Sequence, residues 1–487
     1  MLRVSWLIYG IMMVFMLVGC DDEHILTGAG DQPTLSTDTL QMGTLLENNS
    51  SRTYLLKLYN HCDGDLKLTS VSLRNADQSG FRINVDGMNG TAFTNSDLLH
   101  IAQGDSMFIF VEATFPISEG ALQNQHTDYI DIVCNRRTQT IVLDATSLRV
   151  EQHDKLVIES DTEWDYTMLS KQIMDSLIVR QGATLTLKAG VTLYLHDKAG
   201  IRVEGTLLCL GEVGNPVIIR GDRTDKIFSN LYYDDLPAQW GSLFIDSTAQ
   251  GCRFVQTDIH GMISGIQVDT TDVLFEGCKI RNSDENLLTF RRSVATLVNC
   301  ELSNTAGALV KIMGGRYDIV HCTLANYNFN KRQYMEPLWL CNRDTAQSPT
   351  PLYQCNLLNT IVWGKKYDPD ILSIKFDYEE IELGRNIYGK MQYADSIFCY
   401  RFDHCLLRYN GSDNNDFINV LWNEDPLYKK TDMENYTFDF HLQSNSRAIG
   451  YGAAQGTLLC PVNADNEHID RDGKSRGSIP TIGCYEY

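Results

Sequence analysis

Cys278, Cys300 and Cys322 stand 22 residues apart, and their neighbours keep the same step. Phe275, Leu297 and Ile319 superimpose, as do Ile280, Leu302 and Leu324. Gly265, Leu287 and Leu309 each open a short apolar run thirteen positions before a cysteine. Asn282, Asn304 and Asn326 each follow one by four. Cys355 and Asn359 repeat the pair after an 11-residue insertion. A period in the low twenties with three strand-like runs per repeat predicts a parallel β-helix. One coil cannot bury its inner face alone, so coils stack at the interstrand spacing of about 4.8 Å. The cysteine column is then a buried ladder of small, mildly apolar side chains. The asparagine column turns the chain between strands, where Asn tolerates left-handed backbone. Metal binding is disfavoured: there is no CxxC pair, and each ligand would sit one coil above the last.

The same periodicity starts earlier. Residues 177–187 are echoed by 201–207, with Gly182, Gly190, Gly200 and Gly205 between the runs. The prediction is a β-helix over 152–487, closed by a C-terminal cap. Ahead of it, residues 36–148 alternate with period two, as in Thr53 to Tyr59 and Ser106 to Thr114. About seven short strands punctuated by Gly, Asp and Asn predict a small β-sandwich. The pattern resembles the immunoglobulin-like modules of bacterial surface proteins. Cys62 and Cys134 are its only cysteines. A disulfide there, and another between Cys460 and Cys484, stays open.

The N-terminus reads as an address. Arg3 precedes an apolar run from Trp6 to Val18, broken only by Gly10. That is too short for a spanning helix of about 20 residues. Leu17-Val18-Gly19-Cys20 resembles a bacterial lipobox. Residues 1–19 are then a signal peptide, and the Cys20 thiol takes the lipid that anchors the chain to a membrane. Asp21, Asp22 and Glu23 resemble the acidic surface-export tag of Bacteroidota lipoproteins, within an acidic tether over 20–35. The implied location is the outer membrane, facing outward. An Asp after the lipidated Cys would mark inner-membrane retention in enterobacteria, and that alternative stays open.

Longer segments carry a family resemblance. These are Gly182-Ala183-Thr184-Leu185, 203–207, Asn215-Pro216-Val217, Gly221-Asp222-Arg223 and Gln239-Trp240-Gly241. Near the end stand Asp425-Pro426-Leu427, Phe440-His441-Leu442, Asp470-Arg471-Asp472-Gly473 with Arg476, and 482–486. The chain is similar to the right-handed β-helix lipoproteins of Bacteroidota, within the pectin-lyase-like superfamily. The resemblance implies fold and location, not one reaction.

Charge narrows the partners. The chain has 41 Lys+Arg against 62 Asp+Glu, a net charge of −21. No basic cluster exceeds a pair, which excludes nucleic acid as a partner. No motif implies a cofactor or a resident metal. Asp234-Asp235 and His260-Gly261 invite comparison with polygalacturonases, but that family's flanking Asn-Thr-Asp and Arg-Ile-Lys elements are missing. No catalytic constellation is assigned, and the reading leans away from an enzyme. Aromatic-rich insertions at 326–353 and 363–400 are the better clue, because loops on one side of a solenoid form binding walls. Tyr327, Tyr334, Trp339 and Trp363 are the candidate ligand contacts. The leading expectation is a non-catalytic binder of polysaccharide or another envelope component. A polysaccharide lyase or glycoside hydrolase, and a purely structural or adhesive rod, remain alternatives.

Overall fold

The computed structural model describes residues 24–94, 97–228, 231–328, 337–342, 350–365, 374–377 and 397–487. The chain divides into two compact units, Met1–Arg149 and Val150–Tyr487. Cys20, Asp21, Asp22, Glu23 and Tyr334 lie outside the described residues.

The first unit is two small sheets around one core. One sheet orders its strands Thr34–Leu35, Tyr54–Tyr59, Ser106–Ala113, Phe81–Val85 and Met88–Gly90, all antiparallel. The other runs Thr39–Leu46, Arg137–Leu148, Gln123–Cys134, Leu66–Leu73 and Ala92–Thr94. Only its edge strand Thr39–Leu46 joins in parallel. Alternation works as read: Leu56, Leu58, Ile109 and Val111 are buried, while Leu55 and Phe110 face out. Residues 24–35, expected as a tether, are part of this fold. Ile25 bridges Asp65, Leu26 and Leu35 pack on the core, and Thr34–Leu35 pairs with Tyr59 and Leu58. Apolar side chains beside an open sheet edge explain the difference. Cys62 and Cys134 are free thiols.

The second unit is one large parallel sheet, compatible with a β-helix. Its strands fall into three stacked columns. The first holds Gly200–Val203, Leu243–Ile245, Ile266–Asp269, the first half of Leu288–Val298 and of Val310–Val320, then Leu338–Cys341. The second holds Thr206–Leu210, Cys252–Val255, Asp272–Glu276, the later halves of the same long strands, then Leu352–Leu358 and Arg401–Asp403. The third holds Val217–Gly221, Thr257–Met262, Lys279–Ser283, Glu301–Thr305, Thr323–Asn326, Ile361–Gly364 and Leu406–Leu407. Inward residues stack like upon like: Phe254 lies on Phe275 with ring centroids 4.9 Å apart.

The sequence register holds at the cysteines. Lys279, Glu301 and Thr323 pair in successive coils, which places Cys278, Cys300 and Cys322 one above another, all fully buried. Each thiol reaches a carbonyl oxygen of the preceding coil: Phe254 at 3.1 Å, Phe275 at 3.5 Å and Leu297 at 3.5 Å. The column does not resume at Cys355, which stacks on Tyr317 in the second column. It resumes at Thr360 and then Cys405, because Thr323 pairs with Ile361 and Ile361 with Leu406. The interval from Cys322 to Thr360 is 38 residues, so the insertion is 16 rather than 11. Thr360 fits because its hydroxyl donates to Ile319 O at 3.2 Å, as the thiols do below it.

The asparagines also stack. Asn282 and Asn304 are left-handed, at φ 59° and 56°. Asn326 instead uses its side chain, donating to Thr305 O at 3.0 Å and accepting from Thr305 N at 3.1 Å. A second left-handed column precedes the cysteine ladder by one residue: Gln256, Gly277, Asn299, His321, Asn359 and His404. Asn359 belongs to it, not to the asparagine column read from the repeat.

This second corner holds the C-terminal segment. Gln256 Nε2 donates to Arg471 O at 3.0 Å, Asn299 Nδ2 to Ile469 O at 2.8 Å, and Asn359 Nδ2 to Ala453 O at 2.8 Å. The predicted cap is therefore a strap that follows several coils along the third column. The reason is apolar cover. Ala325, Ile361, Trp363, Leu406 and Leu421 point outward from that column and are buried by Tyr428, Phe440, Leu442, Ile482 and Tyr485.

Candidate functional site

The outer face of the third column turns charged where the strap ends. Arg220, His260 and Arg281 occupy one register line over three coils, and Asp258 stands two residues before His260. Strand alternation forces this, since Ile259 between them is buried inward. The segments 222–228 and 231–242 then fold over the line. Trp240 is fully buried, with Nε1 donating to His260 O at 2.7 Å. Arg223 makes a two-point bond to Asp225 at 2.9 and 2.8 Å. The short 3-10 turn Tyr233–Asp235, which follows the antiparallel pair Lys226–Phe228 and Leu231–Tyr232, delivers Asp234 to the strands.

Asp234 Oδ1 lies 2.6 Å from His260 Nε2 and 2.9 Å from Arg220 Nη2. Asp258 Oδ1 lies 2.9 Å from His260 Nδ1 and accepts from Arg281 Nη1. The His260 side chain is only 3% exposed. Burial alone would raise the Asp234 carboxyl, but His260, Arg220 and Arg281 outweigh it and hold it at about 2. Burial opposes the charge on Asp258 too, yet Arg281, His260 and Lys279 hold it well below the carboxylate range. Burial pushes Asp235 up. Two guanidiniums thus face two carboxylates around one imidazole.

The chemistry of this arrangement is that of a clasp. Glycosidic hydrolysis needs one carboxylic acid that is protonated when it meets the leaving oxygen. Asp234 and Asp258 are instead held as anions by paired cations, whereas burial favours the protonated form of the neighbouring Asp235. The structure brings Asp234 to His260, although the flanking motifs of the polygalacturonase comparison are missing. Sequence reading missed Asp258, Arg220 and Arg281; a period-two step from His260 reaches Asp258, but Arg281 stands 21 residues on, one short of the 22-residue repeat.

The aromatic candidates separate. Tyr327 packs on Tyr428, Phe438 and Phe440, and Trp363 is 7% exposed; both serve the strap. Trp339 is half-buried on the first column, with Lys311 Nζ 3.8 Å from its ring centroid. Tyr353, on the second column, is exposed and lies under Arg316. Among the described residues no group of His, Cys, Asp and Glu has the arrangement of a metal site. Cys460 and Cys484 are free thiols, the first beside Asn299 and the second in the strap, where its backbone N donates to Thr323 Oγ1.

No family model matches the chain, and no curated protein matches it. Among solved structures, a Porphyromonas gingivalis protein of unknown function aligns at 20% identity over 24% of this chain, with TM-score 0.18. The alignment spans 48% of that protein's chain, about half its length. The PapD-like domain 7 of human CEP192 aligns at 10% identity over 28% of this chain and 96% of its own, with TM-score 0.17. The catalytic domain of a GH87 alpha-1,3-glucanase aligns at 9% identity over 69% of this chain and 91% of its own, with TM-score 0.12. Scores of this size carry no argument about activity.

Proposed function

We propose that this chain is a lipid-anchored protein of the outer membrane, facing outward, that binds glycan or another envelope component without turning it over. Its second unit is read as a right-handed β-helix of the pectin-lyase-like class, and its first as an immunoglobulin-like sandwich. The observation that carries the non-catalytic reading is the closed cluster of Asp234, Asp258, His260, Arg220 and Arg281. Asp234 and Asp258 are ion-paired and the imidazole is covered, so these groups hold a loop down. Support for binding comes from Trp339, which stays half-buried at the edge of the first aromatic insertion. Support for the address comes from the sequence leading to Cys20.

The test combines location and ligand. The wild-type chain should partition with outer membranes, and a Cys20→Ser chain should be soluble. That soluble chain should retain polysaccharides on a glycan array and release no reducing ends or unsaturated uronates from them. Membrane retention of Cys20→Ser would defeat the anchor. Product release from a retained glycan would defeat the non-catalytic reading.

A further inference from the structure

We infer that the first unit carries a saccharide site of its own, a cleft on the outer face of its five-stranded sheet that takes neutral pyranose rings. The inference rests on reading the chain as a glycan binder and goes past it in naming another unit and other residues.

The cleft has a volume of about 650 Å³, within the usual range of small-molecule sites. Its floor follows from strand register. Phe110 sits on the central strand between Leu55 and Asn84, and Asn84 pairs onward with Asn89. One row over, Arg82 pairs with Glu112. The edge is a tight hairpin whose turn residues Asp86 and Gly87 have φ of 46° and 90°. Both values suit a two-residue primed turn, and Asp-Gly is a preferred sequence for it.

The groups divide as a sugar requires. A pyranose has apolar C–H faces and a rim of hydroxyls that each donate and accept. Phe110 offers a flat ring, 37% exposed, and Leu55 extends the apolar strip. Asn89 is exposed, and its Oδ1 accepts from Asn84 Nδ2 at 2.7 Å, which orients the amide. Arg82 spends Nη2 on Thr114 and Glu112, leaving Nε and Nη1 as donors. Glu112 is a ready acceptor and also takes the Thr53 hydroxyl. Arg82 and Glu112 cancel in charge, which fits a neutral ring better than a uronate.

The experiment is calorimetric titration of the full Cys20→Ser chain with maltohexaose, cellohexaose, xylohexaose and mannohexaose. At least one should bind. Phe110→Ala should weaken that binding by about tenfold or more, as loss of a central aromatic contact does. Phe110→Leu keeps the apolar bulk without the flat face and should weaken it similarly, which guards against a folding defect. Asn89→Ala should weaken it by about threefold or more. Ile117→Ala, at an exposed residue outside the cleft, should leave it unchanged. The site is refuted if none of the four sugars binds, or if Phe110→Ala and Phe110→Leu bind like the parent. Binding lost in Trp339→Ala but kept in Phe110→Ala would likewise refute it, while upholding a glycan site on the solenoid.

Discussion

His260 Nε2 lies 2.6 Å from Asp234 Oδ1, and that contact ties the 3-10 turn Tyr233–Asp235 to a strand of the third column. Asp258 and Arg281 complete the tie from below. Removing one partner from such a buried cluster leaves an uncompensated charge, at a cost of about 3 kcal/mol. Arg281→Met should therefore lower unfolding free energy by about that amount in urea titrations, and adding Asp258→Asn should restore part of it. A loss below about 1 kcal/mol would mean that the cluster is solvated.

Acid should expose the same cluster. The Asp234 carboxyl falls from 3.8 to about 2 on folding. A depressed carboxyl stabilises the fold above its unfolded value and loses that contribution as pH falls through its folded value. The effect is worth about 2 kcal/mol, lost between about pH 4 and pH 2. Unfolding free energies measured over that range should fall more steeply in the parent than in Asp234→Asn. Parallel curves would contradict the assignment.

The strap should respond to pH in the opposite sense. His441 lies 3.0 Å from Asp472 and 2.6 Å from Asp439, and Asp472 first, then Asp439, raise its pKa against the pull of burial. A raised imidazole stabilises most fully below its ordinary value near 6.5, and that contribution is lost as pH rises through the folded value. Amide exchange, corrected for intrinsic rates, should show residues 437–442 and 470–474 opening more at pH 8.5 than at pH 6. His441→Ala should abolish the difference.

Asn299 has two separable duties. Its backbone is left-handed, at φ 54°, and its amide bonds the Ile469 carbonyl and the Arg476 guanidinium. Asn299→Gly keeps the backbone and loses the bonds; Asn299→Ala loses both. Glycine should cost about 1–3 kcal/mol through the unpaired groups, and alanine about 1 kcal/mol more through strain. Equal losses in thermal unfolding would show that the turn geometry is unimportant.

Thiol reactivity should map the ladder. Burial pushes the thiols of Cys278 and Cys300 far up, and that of Cys405 up to about 12, whereas Cys399 is exposed. Iodoacetamide on the native chain, read by peptide mass spectrometry, should modify Cys399 first and the ladder only after denaturant is added. Early modification of Cys300 would place it outside the core.

The repeat was legible because stacking is a one-dimensional constraint. Cys278, Cys300 and Cys322 needed no knowledge of distant contacts, only the coil length. The resumption at Thr360 was hidden, since a hydroxyl substitutes for a thiol while a literal match favours Cys355. The left-handed column at Gln256, Gly277, Asn299, His321 and Asn359 was hidden for a related reason: its residues share a backbone conformation, not a side chain. Asn, Gly and His at the position before each cysteine were the available signal. The strap was illegible because its contacts join residues far apart, as between Asn299 and Arg476. Aromatic content alone points Tyr327 and Trp363 to a binding wall, because it does not say which segment will cover them.

The stacking of coils at the 22-residue step underlies the whole account. Anomalous sulfur scattering from crystals of the Cys20→Ser chain tests it most directly. The account predicts that the sulfurs of Cys278, Cys300 and Cys322 form a line with steps of about 4.8 Å. Sulfurs of these three residues scattered through the molecule, with no such line, would contradict it.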